Sequence, residues 1–215
     1  MQKALFTAIF LSMTMIGYAQ RPFTFVSPDF KTIASSHQQL AILPFDVSLT
    51  LMRRDMQQLS AEKLRELEIQ EGFAIQRLLE SSLIRKKAQK GFDVTFQTVA
   101  TTNMILEQNN VTADNIAQYS RSQLANMLGV DGIIYGVVHS NQLISNGTSF
   151  LMSMSGFFPP PTLLGEMTIQ VANASDGKVL WRYQTFQEGG IGSTKERIST
   201  FMLRRAARRF PYKRL

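Results

Sequence analysis

The sequence predicts a single mixed α/β (α+β) domain in which a mixed sheet of about five strands is flanked by helices. Three observations lead there. Short apolar or alternating runs at Gln39–Leu49, Phe92–Val99 and Val130–Val138 are separated by helix-length stretches, the pattern of strands joined by crossovers. Two more alternating runs, Leu163–Ala172 and Lys178–Phe186, flank Asn173-Ala174-Ser175-Asp176-Gly177, and Asp-Gly between such runs is a hairpin signal. A helical pattern then ends at Pro211. The predicted order is β-α-β-α-α-β-β-β-α.

The chain opens with the parts of an export signal. Met1-Gln2-Lys3, the apolar run Ala4–Ile16 and Gly17-Tyr18-Ala19-Gln20 supply the positive region, the apolar region and the small-residue cleavage site of a secretory signal peptide. The run is shorter than the roughly 20 apolar residues that span a bilayer. The predicted organisation is a cleaved signal peptide at 1–19, an irregular N-terminal arm at 20–38 and one α/β domain at 39–215. The arm mixes Pro22, Pro28, aromatics and small polar residues without a sustained period. It reads as irregular chain or an edge strand.

Leu40-Ala41-Ile42-Leu43-Pro44-Phe45-Asp46-Val47 has the continuous apolar character of a strand buried on both faces, with Pro44 marking a strand end or an edge. Ser60 is placed to cap a helix with Glu62, Glu66 and Glu68 early and Arg85, Lys86, Lys87 and Lys90 late, stopped by Gly91, which suits both ends of the helix dipole. Leu64, Leu67, Ile75, Leu78 and Leu79 share its apolar face. Glu68 and Glu71 intrude on that face just before Gly72, which predicts a bend there. These two carboxylates are read as an exposed or bent turn and not as an acid–base pair, since no other catalytic group lies near them in sequence.

Phe92, Val94 and Phe96 alternate as a second strand, and the helix-sized link before it predicts a right-handed parallel crossover. A short helix from Thr101 or Thr102 to Gln108 follows. A second helix is capped by Asp114 and runs to Leu128, with Gly129 as its stop. Val130–Val138, rich in β-branched residues, is the central strand. In the hairpin, Trp181 and Tyr183 alternate with Arg182 and Gln184, giving one packed and one wet face. Gly189-Gly190-Ile191-Gly192 leads into a last helix capped by Ser193 or Thr194 and reaching Phe210, with Pro211 beyond it.

Composition excludes several kinds of chemistry. The chain has no cysteine, hence no disulfide framework, thiolate metal site, thiol nucleophile or acylated lipobox. Its two histidines, His37 and His139, lack ligand spacing, and neither a Gly-x-Ser-x-Gly elbow nor a His-Glu-x-x-His motif is present. Gly189–Lys195 has the context of a phosphate loop, but Thr194 stands where the second glycine belongs and Glu196 follows Lys195. The sequence therefore predicts no metal and no cofactor.

The formal charge is +7 at pH 7. Lys195, Arg197, Arg204, Arg205, Arg208, Arg209, Lys213 and Arg214, set against Glu196, account for the whole excess. The basicity is thus a C-terminal feature.

Ala41-Ile42-Leu43-Pro44-Phe45, the stretch Leu124–Val138 containing Leu128-Gly129-Val130-Asp131-Gly132, and the hairpin ending Asp176-Gly177-Lys178-Val179-Leu180-Trp181 resemble signatures of a superfamily of envelope proteins. That superfamily includes the TolB N-terminal domain, LpoB and the periplasmic domain of CsgG. The resemblance covers roughly residues 38 to 210 and is carried by apolar residues and glycines, so it speaks to architecture before activity. It implies a periplasmic adaptor or assembly protein without catalysis. It also implies a place peripheral to the outer membrane, although many relatives carry a lipid anchor and this chain lacks the cysteine for one.

Two segments stand out as carriers of function. Residues 132–165 contain no Asp, Glu, Lys or Arg, and the connection within them holds Phe150, Leu151, Met152, Met154, Phe157 and Phe158. These residues form either an adaptable partner or oligomer surface, or part of the chain's own core. In the last helix Arg204, Arg205, Arg208 and Arg209 gather on one side and Ile198, Met202, Leu203 and Ala206 on another. Its basic face is either simply solvated or a contact for an anionic surface such as lipid headgroups or an acidic partner. Nucleic acid is not predicted as a partner, because no stacking aromatics interleave the arginines. The leading expectation is a non-catalytic periplasmic adaptor that binds envelope proteins or itself. The alternative is a periplasmic small-ligand-binding protein or hydrolase whose site is assembled from dispersed residues.

Overall fold

The computed structural model describes residues 22–50, 60–140, 164–188 and 195–212. Strand β1 (Phe23–Val26) and a short helix α1 (Phe30–Ala34) come from the N-terminal arm. Then come β2 (Gln39–Ile42), β3 (Asp46–Leu49) and the long helix α2 (Ala61–Lys90). The two-residue β4 (Thr95–Phe96), helix α3 (Val99–Gln108), a 3-10 turn at Ile116–Gln118 and α4 (Arg121–Leu128) follow. The chain continues with β5 (Gly132–Ser140), β6 (Leu164–Asn173), β7 (Val179–Glu188) and α5 (Lys195–Arg209). The predicted signal peptide and the 141–163 connection lie outside the described residues.

The strands form one mixed sheet of seven in the order β1-β7-β6-β5-β2-β4, with β3 also paired to β5. β2 lies parallel to β4 and β5, while β5, β6, β7 and β1 run antiparallel in succession. The mixed α/β class expected from sequence is the class observed.

Two strands exceed the expected five: β1, contributed by the arm, and one gained because the first predicted strand is two. Leu40–Ile42 pairs with Gly132–Ile134 and Asp46–Leu49 with Val137–Ser140. Between them Pro44 has no N–H to give the ladder. The Phe45 N–H leaves the sheet and donates to the Gly72 carbonyl at 3.3 Å.

That contact also gives Gly72 a role the sequence did not disclose. Helix α2 is continuous from Ala61 to Lys90. A Cβ at position 72 would sit 2.2 Å from the Phe45 carbonyl oxygen, so this glycine serves the close approach of helix to strand. Leu67, Ile75, Leu79 and Leu83 are buried along α2, whereas Leu78 is 37% exposed and leaves the predicted face.

Three other boundaries differ from the sequence reading for local reasons. Only Thr95 and Phe96 of the second predicted strand pair in the ladder with β2. Phe92 and Val94 are buried in the core without being part of it. α3 begins earlier than expected because the Thr98 hydroxyl accepts from the Thr101 N–H at 3.1 Å. Asp114 does not cap α4. Ser120 does, in a reciprocal capping box with Gln123, while Asp114 pairs with Arg65.

The sheet separates two cores. On one face α2 and α5 cover Ile42, Val47, Ile134, Val138, Ile169, Trp181 and Tyr183. α5 inserts Met202, Leu203, Ala206 and Ala207, and Phe210 follows directly after it, all nearly inaccessible. Each large apolar side chain buried this way contributes about 1.5–3 kcal/mol. Phe92, Phe96, Trp181, Phe210 and Tyr212 close that core as a linked aromatic cluster with centroid separations of 5.2–6.2 Å. On the other face α3 and α4 cover Ala41, Leu43, Ile133 and Ala172.

Candidate functional site

The geometry of α5 follows from its pattern. Its apolar stripe is docked, so its arginines are displaced to the outside: Arg204, Arg208 and Arg209 are exposed and Arg205 is half-buried. The guanidinium of Arg205 lies 5.3 Å from the Phe201 ring and that of Arg209 5.9 Å from the Tyr183 ring. Arg209 also donates to the Thr24 hydroxyl of β1 at 3.5 Å. Arg205 and Arg209, one helical turn apart, therefore flank the β1 side, while Arg204 and Arg208 point away from the sheet. None of the four has a carboxylate partner among the described residues. They form a patch able to take phosphate or carboxylate oxygens.

Beside this patch lies a surface that sequence reasoning did not single out. In an antiparallel pair, directly opposed residues share a face. Phe23 stands opposite Gln184 and Phe25 opposite Arg182, so both phenylalanines lie on the face away from α5, together with Phe186. They are 55%, 39% and 38% exposed. Val26, on the α5 face, is 47% exposed. The sequence signal was present in Phe23-Thr24-Phe25-Val26, but four residues after a proline are too few to fix a period. The other predicted apolar surface, Phe150, Leu151, Met152, Met154, Phe157 and Phe158, lies outside the described residues.

A cleft of about 240 Å³ sits where Pro44 interrupts the β2–β3 line. Its charged groups are Asp46, Arg65, Glu68, Asp114 and Arg121. Arg65 donates to Asp114 at 2.9 Å and to Glu68 at 3.3 Å, and these hydrogen bonds, that to Asp114 foremost, hold the guanidinium above its usual pKa. Glu68 accepts the Leu49 N–H with its second oxygen at 3.0 Å. Arg121 stacks 4.1 Å over the Tyr135 ring. Most of the cleft's charges are thus spent on tying α2, the 3-10 turn and α4 to the sheet. Glu68 in particular is a structural acceptor.

The buried histidine has a structural account as well. Asn173 uses its amide nitrogen on Ser175 and Asp176, both at 2.8 Å, which leaves its carbonyl facing His37. The His37 Nε2–H therefore donates to Asn173 at 3.1 Å, and Nδ1 accepts the Tyr212 hydroxyl at 2.7 Å. Burial, and then the charge of Asp131, push the Tyr212 phenol well above its ordinary range. His139 is exposed on β5. Among the described residues no group of three or more His, Asp or Glu is disposed to hold a metal ion. No helix among them is long and apolar enough to cross a membrane.

No family model matches the chain, and no curated protein matches it in sequence. Solved structures do. The PelC dodecamer of Paraburkholderia phytofirmans is 10% identical with a TM-score of 0.42, over 86% of this chain and 92% of that one. Lipoprotein GNA1162 of Neisseria meningitidis is 11% identical with a TM-score of 0.46, over 80% and 96%. The LpoB C-terminal domain of Salmonella enterica is 11% identical with a TM-score of 0.33, over 74% and 93%. Similarity this distant concerns the arrangement of the fold and carries no argument about activity or partner.

Proposed function

We propose that the chain is a non-catalytic adaptor or assembly protein of the bacterial envelope, exported to the periplasm and working through contacts with other proteins or with copies of itself. The observation that carries this reading is the division of labour in α5. Its apolar face is consumed by the core, and Arg204, Arg208, Arg209 and the half-buried Arg205 have no carboxylate partner among the described residues. Such a patch next to exposed aromatics is suited to binding and does not provide the nucleophile, base and oxyanion donors that a hydrolase requires.

The cleft at Pro44 supports the runner-up, a small-ligand-binding protein or hydrolase, only weakly, since Glu68, Asp114 and Arg65 already satisfy one another. The two readings separate on co-purification from the native envelope. The adaptor reading expects a defined set of proteins retained by the wild type and lost when Arg204, Arg205, Arg208 and Arg209 are all changed to Glu. Isolation of the wild type as a lone monomer, with a small molecule bound, would instead favour the runner-up.

A peripheral membrane role has its own test. Sedimentation with liposomes should rise with anionic lipid and fall with salt if α5 meets headgroups. Sedimentation indifferent to both removes the lipid from the proposal and leaves acidic proteins as the contact.

A further inference from the structure

We propose that the outer edge of β1 receives an extended, acidic segment of a partner protein, which adds to the sheet as a further strand. β1 ends the strand order and pairs only with β7 among the described residues. The Ser27 N–H donates to the Leu180 carbonyl at 2.8 Å, so the odd-numbered residues of β1 turn their backbone groups toward β7. By the alternation of strand hydrogen bonding, Thr24 and Val26 turn theirs outward.

Sheet edges that must stay unpaired are usually protected by charged side chains, bulges or prolines within the strand. Phe23-Thr24-Phe25-Val26 has none of these, and its register with β7 is regular. It is a strand fit for pairing, with exposed aromatics beside it.

Charge selects the occupant. Arg209 reaches Thr24 on the α5 face of the edge strand, with Arg205 one helical turn before it, whereas Arg182, opposite Phe25 on the other face, turns its guanidinium inward to Gln170. Asp29 is paired with Lys178, and Glu166, which accepts from Gln184 opposite Phe23, keeps its charge on the Phe23 and Phe25 face, so an acidic side chain is favoured only on the α5 face. A second copy of β1 would bring the same arginines against these and lose by repulsion. An extended segment alternating acidic and apolar residues would instead place carboxylates along the α5 flank and apolar side chains over Phe23 and Phe25. Main-chain hydrogen bonds would supply affinity and the alternate side chains specificity. The inference gives the adaptor reading a partner class but does not depend on the compartment in which the chain works.

A short fluorescent peptide alternating Glu and Val, its Lys and Val counterpart, and amide exchange at Thr24 and Val26 test it on the purified protein. The acidic peptide should bind at least about tenfold more tightly than the basic one, a difference that anisotropy resolves, and it should protect both amides. Thr24→Pro, which removes an outward N–H at a position where an edge strand tolerates proline, should abolish binding. Should that variant fold poorly, Arg205→Glu combined with Arg209→Glu decides the matter by reversing the charge preference.

Absence of binding, equal binding of the two peptides, or retention of binding in folded Thr24→Pro overturns the proposal. So does protection of both amides without peptide. Concentration-dependent protection would assign the edge to a second copy, and concentration-independent protection to the chain itself. None of these results bears on co-purification, so the adaptor reading stands or falls separately.

Discussion

His37, Asn173 and Tyr212 join three distant parts of the chain: the end of the arm, the β6–β7 hairpin and the residues after α5. Tyr212→Phe would leave His37 Nδ1 buried without its donor. The loss should be about 1–3 kcal/mol of unfolding free energy, read from urea denaturation with an unchanged m-value. Asp131 performs a related task on the outside, where it accepts the N–H groups of Gln38 at 2.8 Å and Gln39 at 2.9 Å. Burial acts to raise its pKa, but those two amides hold it below the usual 3.8. A carboxyl depressed in the folded state stabilises above its unfolded pKa and loses that contribution as pH falls through the folded value. Asp131→Asn should therefore be less stable than wild type at neutral pH, and the gap between them should close below pH 3.8. Pairs of melting curves across that range check it.

Helix α5 and strand β1 show what the sequence could and could not disclose. The docked and solvated sides of α5 were both legible, because fifteen helical residues give the apolar period several turns in which to declare itself. Leu203→Ala should cost about 2–5 kcal/mol through the cavity it opens. Arg204→Ala with Arg208→Ala should leave stability within about 0.5 kcal/mol, as exposed positions do, while weakening any anion contact. Thermal and chemical denaturation distinguish the two outcomes. In contrast, Thr98 and Ser120 as helix caps were hidden by neighbours of the same chemistry, Thr101, Thr102 and Asp114, and only the backbone geometry chooses among them. The role of Gly72 was hidden for a different reason. A glycine in a helix reads as a bend, but the Phe45 carbonyl that requires it is distant in sequence. Gly72→Ala should consequently destabilise despite alanine's gain of about 1 kcal/mol in helix propensity, because the added methyl meets backbone that cannot yield.

In the assembled fold, strand identity was readable and strand neighbourhood was not. The hairpin at Asp176-Gly177 and the central β5 were legible from turn chemistry and β-branched residues, and Gly177 adopts the positive φ of 69° that such a turn demands. That β1 would join β7 at the edge depends on pairing between residues more than 150 positions apart, for which no local pattern exists. This is also why the surface formed by Phe23, Phe25 and Phe186 was missed: its members meet only through register.

The proposed partner contact runs across the β1 edge and the arginine side of α5. A photo-crosslinking residue placed at Phe25 in living cells is the test, with one at the exposed Glu107 in the last turn of α3 as the remote control. A discrete crosslinked protein is expected from position 25, absent from position 107 and lost when Arg205 and Arg209 are changed to Glu. Equal labelling from the two positions, or no adduct from position 25, would contradict it.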